Sequence, residues 1–251
     1  MRILCCNDDG IDARGLRLLV EAARTLGDDV WAVAPDRKWT AASHHVTFDR
    51  DLVLTRRGER AFACSGTPVD GVIAAMTLLD GEGLKPDLVL AGINDKRNVG
   101  EDIAYSGTLA IAREATFWGV PAISLSRDAW PPQDTPADTA AIGALLRAMW
   151  DSLAQWSVPG TWLAVNLPQT LPAPIRQASP AQDKIASATD VVGGDADRIV
   201  YRTRRGRPGR ATPGDENALL QTGAIVVVRC AAFASQPLAS STIAGWESRL
   251  T

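Results

Sequence analysis

The first ten residues, Met1-Arg-Ile-Leu-Cys-Cys-Asn-Asp-Asp-Gly10, constrain the fold more than any other stretch. Arg2 to Cys6 reads as a short strand buried on both faces, ended by Asn and Gly in a polar, acidic turn. The segment after it carries Leu16, Leu19, Val20, Ala23 and Leu26 at helical spacing. Strand, turn and helix make the first half of a βαβ unit. In such sheets ligands gather at the carboxyl ends of the strands, and Asp8 and Asp9 sit at that edge. Two adjacent carboxylates repel, and sharing a small site raises the pKa of one of them unless a cation is present. Hard oxygen donors suit Mg²⁺, Mn²⁺ or Ca²⁺. The same residues also serve as an ordinary turn and helix cap, and on the pair alone the turn is the favoured reading.

With 251 residues, 46% of them hydrophobic, the chain can bury a large core as one α/β domain, with or without an appendage. A formal net charge of -3 argues against a general nucleic-acid or membrane-surface protein. No apolar run is long enough to span a bilayer. The N-terminus shows no charged region followed by a cleavable apolar segment, so a cytoplasmic location is expected. Cys5, Cys6, Cys64 and Cys230 have no CxxC spacing and read as small hydrophobes in a reducing compartment. His44 and His45 are the only histidines and no Cys/His cluster accompanies them, which disfavours zinc.

Along the chain, Asp29 to Ala34 reads as a second strand, leaving through Pro35-Asp36-Arg37 into the loop Lys38-Trp-Thr-Ala-Ala-Ser43. Hydroxyls, small residues and two cations there suit an oxyanion, but by themselves they fit a solvated loop better. Val46 to Phe48 is expected as a strand, and Asp51–Thr55 and Arg60–Cys64 as short strands around a turn at Gly58. Thr67 caps a helix from Pro68 to about Leu79, with Asp70 in its first turn. Lys85 to Gly92 is a buried parallel strand. It opens into Ile93-Asn94-Asp95-Lys96-Arg97-Asn98, where Asn94 offers an amide oxygen to a metal, Asn98 offers amide donors to a phosphate, and Lys96 and Arg97 add charge. Ser106-Gly107-Thr108 leads into a helix from Leu109 to Trp118, whose start supplies N–H groups and hydroxyls to an anion. Val120–Ser126 is a further strand, an irregular loop reaches Pro136, a helix follows over about 137–153, and Thr161–Asn166 is expected as the last core strand. From Leu167 the composition turns to Pro, Gly, Ala and charge, with an Arg-rich run from Tyr201 to Arg210. Asp190–Tyr201 is expected to give one strand of a hairpin, Ala224–Arg229 a strong strand, and Ser240–Leu250 a terminal helix. The reading is one domain over 1–251, with 168–214 as an extended arm.

Taken in order, Asn7-Asp8-Asp9-Gly10-Ile11, Ala34-Pro35-Asp36-Arg37, Ala42-Ser43-His44, Gly66-Thr67-Pro68, Gly92-Ile93-Asn94 with Asn98, and Tyr105-Ser106-Gly107-Thr108 closely resemble the SurE (survival protein E) nucleotidases. The motifs cover residues 1 to about 126 and fade beyond. The resemblance implies a Rossmann-like, mostly parallel sheet with helices on both faces and a C-terminal β-hairpin extension used in a homodimer or homotetramer. It implies a metal-dependent phosphatase of nucleoside 5′- and 3′-monophosphates. Its metal ligands fall on Asp8, Asp9, Thr40 and Asn94, with Mg or Mn as the ion. Asp8 and Asp9 are the candidate catalytic residues, and Asn98, Ser106, Gly107 and Thr108 the candidate substrate-binding residues. No membrane or nucleic acid is expected as a partner. Four positions depart from the family: Thr40 stands for a Ser, Ala41 for a Gly, Lys96 for a Gly and Arg14 for a Pro. A Gly at position 96 suits a positive φ or a close backbone approach, so Lys96 is expected to distort that loop or to bring an ammonium near the phosphate. A nucleotide-binding regulatory protein of the same fold, with weak or lost turnover, is the alternative. A dehydrogenase is disfavoured, because no Gly-x-Gly-x-x-Gly follows the first strand.

Overall fold

The computed structural model describes residues 1–81, 83–182, 186–204, 206, 211–234, 237, 239–247 and 249. Part of the Arg-rich run, residues 205 and 207–210, and the last residues of the expected terminal helix lie outside them.

Strand β1 (Arg2–Cys6) lies at the centre of a nine-stranded sheet. Helix α1 (Arg14–Ala23) follows it, and the chain then lays down β2 (Asp29–Pro35), β3 (Leu54–Gly58) and β4 (Ala61–Cys64) on one side. Helix α2 (Pro68–Leu78) returns the chain to β5 (Leu88–Asn94) on the other side of β1. Then come α3 (Asp102–Tyr105), α4 (Gly107–Phe117), β6 (Ala122–Arg127), α5 (Pro136–Asp151), α6 (Leu153–Trp156) and β7 (Thr161–Leu167). The remainder is β8 (Ile175–Gln177), β9 (Ala188–Gly194), β10 (Ile199–Arg204), α7 (Glu216–Gln221), β11 (Ile225–Ala231) and α8 (Ser240–Glu247). The sheet order is β3-β4-β2-β1-β5-β6-β7-β11-β8. Only the β3–β4 and β7–β11 pairs are antiparallel. The α/β fold with helices on both faces is therefore the one expected.

Alternation along the central strand builds two cores. Ile3 and Cys5 face one layer with α1 and α5, where Leu16, Leu19, Leu90, Ile142 and Leu146 are buried. Leu4 and Cys6 face the other with α2 and α4, where Val72, Ala75, Leu109 and Ile111 are buried. All four cysteines are free and buried, as small hydrophobes. Helix α1 seats directly on β5. A Cβ at Gly15 would lie 1.9 Å from the Ile93 carbonyl oxygen, so only glycine permits this approach.

Several local expectations change. Val46–Phe48 is not a strand: Thr47 gives its backbone N–H (2.9 Å) and its hydroxyl (2.7 Å) to the Asp70 carboxylate, which ties this segment to α2 instead of to a neighbouring strand. Asp70 also accepts the Thr67 N–H while Thr67 caps it in return, the reciprocal box that Thr67 and Pro68 announce. Strand β5 runs on to Asn94, so Asn94 stands on a strand end and not in the loop after it. Thr161–Leu167 is not the last strand of the sheet, because β11 pairs with it and β8 pairs with β11. The arm contributes both strands of a separate hairpin, β9 and β10, where one strand was expected.

Candidate active site

The order in which strands join the sheet reverses at β1. β2 lies on one side and β5 on the other, and a crevice opens at such a switch point beyond the carboxyl ends of the strands. Residues after β1 and at the end of β5 line it, in a cleft of about 820 Å³ with Asp8, Asp9, Lys38, Thr40, Asn94, Asn98 and Ser106 in its walls.

Asn7 makes the turn that presents the carboxylates. Its amide donates to the Gly10 carbonyl (3.0 Å) and accepts the Gly10 N–H (3.1 Å). Asp8 is buried, and the Thr108 hydroxyl donates to its Oδ1. Gly107 packs so closely behind it that a Cβ there would lie 2.8 Å from the Asp8 Cβ. The Asp8 carbonyl accepts the Trp39 N–H at 2.7 Å, which brings the 38–43 loop over the site. That loop is fixed at its far end by Ser43, whose N–H reaches the Tyr105 carbonyl at 2.9 Å and whose hydroxyl reaches Ala104 at 2.7 Å. Ala41, at the family's Gly position, adopts φ 55, the left-handed conformation for which glycine is best suited.

Burial pushes the Asp8 carboxyl up to about 6, with the Asp9 charge adding to the rise and the Thr108 bond and Lys38 opposing it. Asp9 receives the Lys38 ammonium on Oδ1 at 2.5 Å and the Asp95 N–H on Oδ2 at 3.2 Å. Lys38 also bonds the Asp95 carboxylate. Asn94 donates its amide N–H to the Lys96 carbonyl at 2.6 Å, which fixes the side chain at the cleft wall. Two carboxylates, an amide and a hydroxyl from three chain segments thus line one cleft. The buried, charge-starved Asp8 fits a hard divalent ion there. Among the described residues no group of three or more His, Cys, Asp or Glu is placed to hold a metal, so the donor set depends on Asn94 and Thr40.

In the same cleft wall, Ser106 caps α4, its hydroxyl accepting the Leu109 N–H at 3.3 Å. Gly107 and Thr108 sit behind Asp8 and fix its position. Asn98 lines the cleft, but its amide donates to the Ser126 hydroxyl (2.8 Å), while its backbone exchanges two bonds with Asn166. Arg97 is paired with Asp128 at 2.9 Å. Lys96 is exposed, and Ala41, Ser43 and Asp80 are the non-glycine residues with positive φ among those described, so Lys96 does not occupy the left-handed conformation that a Gly there would suit. His44 bonds Glu114 at 2.8 Å and packs on Phe117. Asp95 was not singled out from the sequence. Its only signal was a position just after a strand end.

A doubly wound sheet whose switch point opens on paired carboxylates beside a capped helix start defines the class of α/β protein to which this chain belongs. The family model described as Survival protein SurE matches residues 3–188, well past the last motif near residue 126 and up to the start of β9. The chain belongs to the SurE family. The 5'-nucleotidase SurE of Bradyrhizobium sp. (strain ORS 278) is 42% identical over 181 residues, 70% of this chain and 69% of that protein. The 5'-nucleotidase SurE of Paramagnetospirillum magneticum is 49% identical over 127 residues, 51% of this chain but only 48% of its own length. The crystal structure of the SurE protein from Aquifex aeolicus superposes with a TM-score of 0.74 at 25% identity, covering 100% of this chain and 99% of that one.

Proposed function

We propose that this protein is a phosphoric monoester hydrolase that releases phosphate from nucleoside 5′-monophosphates, and from 3′-monophosphates as well. Membership of a family whose curated members are 5'-nucleotidases supports the activity. The observation that carries it is the convergence of Asp8 and Asp9, just after β1, with Asn94 at the end of β5 and the Ser106 cap of α4 in the lining of one cleft. Asp8, Asp9, Thr40 and Asn94 would hold Mg²⁺ or Mn²⁺, which when bound polarises the phosphate and stabilises charge developing on it. Ser106 and the first N–H groups of α4 receive the remaining phosphate oxygens, with Asn98 beside them. Thr108 and Gly107 hold Asp8 in place. Trp39 and Tyr105 also line the cleft and offer aromatic faces to a base.

The arm's exposed Val191, Ile199 and Tyr201 support a homodimer or homotetramer, in which a second copy covers them. No helix among the described residues is long and apolar enough to cross a membrane. The free cysteines support a cytoplasmic location.

The test is phosphate release from AMP and GMP by protein stripped with chelator and then reconstituted. Release restored by Mn²⁺ or Mg²⁺ and absent in chelator is expected. Tight AMP binding with no release in any metal would replace this reading with that of a nucleotide-binding regulator. The Lys38 ammonium already lodged on Asp9 is the observation that favours this second reading.

A further inference from the structure

Lys38 is the side chain in the cleft whose position the proposed chemistry leaves unexplained. Its ammonium lies 2.5 Å from Asp9 Oδ1 and also contacts Asp95 Oδ2. The neighbouring cation on the same loop is used elsewhere, since the Arg37 guanidinium stacks on the Trp39 ring at 4.4 Å. Lys38 therefore supplies the positive charge that Asp8 and Asp9 lack. We infer that Lys38 is a built-in counter-cation of this site, which leaves Asp9 and is retained by Asp95 when a divalent ion binds. This rests on the reading of Asp8 and Asp9 as ion ligands.

Three features of the geometry support an exchange and oppose a fixed ion pair. An ammonium and a divalent ion cannot share one carboxylate without strong repulsion at such short range. The ammonium is also asymmetrically placed: Asp9 is 6% exposed, Asp95 52% and Lys38 49%. Withdrawal toward Asp95 moves the charge toward water, where an ion pair is held weakly and a flexible four-carbon stem rearranges at little cost. Asp95 is in addition linked to the site through its own N–H on Asp9 Oδ2. The residue that receives Lys38 is thus bonded to the residue that gives it up. In the ion-free protein Lys38 relieves the repulsion between the carboxylates. In the ion-bound protein it stands at the cleft edge, still tied to Asp95.

The consequence is that ion affinity is set by competition with Lys38. It is tested by titrating Mn²⁺ into chelator-stripped protein and following free Mn²⁺ by electron paramagnetic resonance, with no turnover involved. Lys38→Met is expected to bind Mn²⁺ about tenfold more tightly than wild type, and Lys38→Arg to stay within about threefold of it. Asp95→Asn, which removes the place Lys38 retreats to, is expected to bind severalfold more weakly. Asp8→Asn in the Lys38→Met background is expected to abolish the gain. Lys38→Gln carries the same expectation as Lys38→Met should the latter not fold. Equal or weaker Mn²⁺ binding after removal of the charge overturns the role of Lys38 while leaving the ion site standing. Absence of Mn²⁺ binding in wild type and Lys38→Met alike overturns both.

Discussion

At the scale of single residues, the site is held by contacts that leave no slack around Asp8. Its carboxylate takes the Thr108 hydroxyl on one oxygen, and the Gly107 backbone lies against its Cβ. A methyl at position 107 would meet the Asp8 Cβ at 2.8 Å and Oδ2 at 2.9 Å, closer than real Cβ atoms approach. Gly107→Ala is therefore expected to push the carboxylate out of place. The displacement should lower phosphate release by roughly a hundredfold, the scale of an ångström misplacement at a reacting centre, and cost about 1–3 kcal/mol of stability from overpacking. Steady-state phosphate release and thermal melts check this. Activity within about threefold of wild type would mean that Asp8 has room the contacts do not show. The Gly107 requirement could not be seen in Ser-Gly-Thr alone, because the atom it makes room for belongs to Asp8, in the turn after β1.

At the scale of elements, the loop between β6 and α5 depends on two arginines. Arg14, in a family Pro position, binds both oxygens of Asp134 (2.6 and 2.9 Å) and the Pro131 carbonyl (2.9 Å), and stacks on Trp130 at 4.7 Å. This departure clamps the loop to α1 and does not enter the cleft. Arg127 is fully buried and bonds Asp138 at 2.7 Å and the Gln169 carbonyl at 2.9 Å. Burial alone would raise the Asp138 carboxyl, but the bonds from Arg127 and Thr135 more than offset it and hold it below the usual carboxylate range. Asp138→Asn leaves the buried Arg127 with only the Asp134 carboxylate, 4.0 Å away, as counter-charge, and about 3 kcal/mol of stability should be lost at pH 7. The sign of the pH effect follows from the lowered pKa. The stabilisation is complete above the unfolded value of about 3.9 and disappears as pH falls through the lower folded value. Denaturant unfolding should show a constant gap between wild type and variant from neutral pH to about 4, closing only below that. A gap that closes between pH 7 and 5 would contradict the assignment.

At the scale of the whole molecule, one part stands apart from the nine-stranded sheet. Among the described residues, strands β9 and β10 pair with each other and with no other strand, closed by Arg204 on Asp190. They carry Val191 and Ile199, 73% and 72% exposed. Thr203 and Arg204 at the end of β10 also reach the cleft wall. Replacing residues 188–204 by a short Gly-Ser linker is expected to convert the proposed homo-oligomer to a monomer by light scattering. The midpoint of unfolding of the main sheet should shift by only a few degrees beyond the change due to dissociation. An unchanged oligomer would place the interface elsewhere.

The periodicity of strand one and helix one, the Thr67 cap and the apolar run of the strand before Asn94 were legible in the sequence, because each is decided by neighbours a few residues away. The motif residues at the ends of β1 and β5 do line one cleft. The details that depend on sheet order were not legible. Asp9 meets Lys38 and the Asp95 N–H, Asn98 is bonded to Ser126, and Arg97 is paired with Asp128. Each joins segments that become adjacent only once β2 and β5 flank β1 and β6 flanks β5. Local chemistry therefore determined which elements form and which side chains their ends present. The packing of those ends around the switch point decided which charges meet, because electrostatic partners are chosen by distance in space and not along the chain.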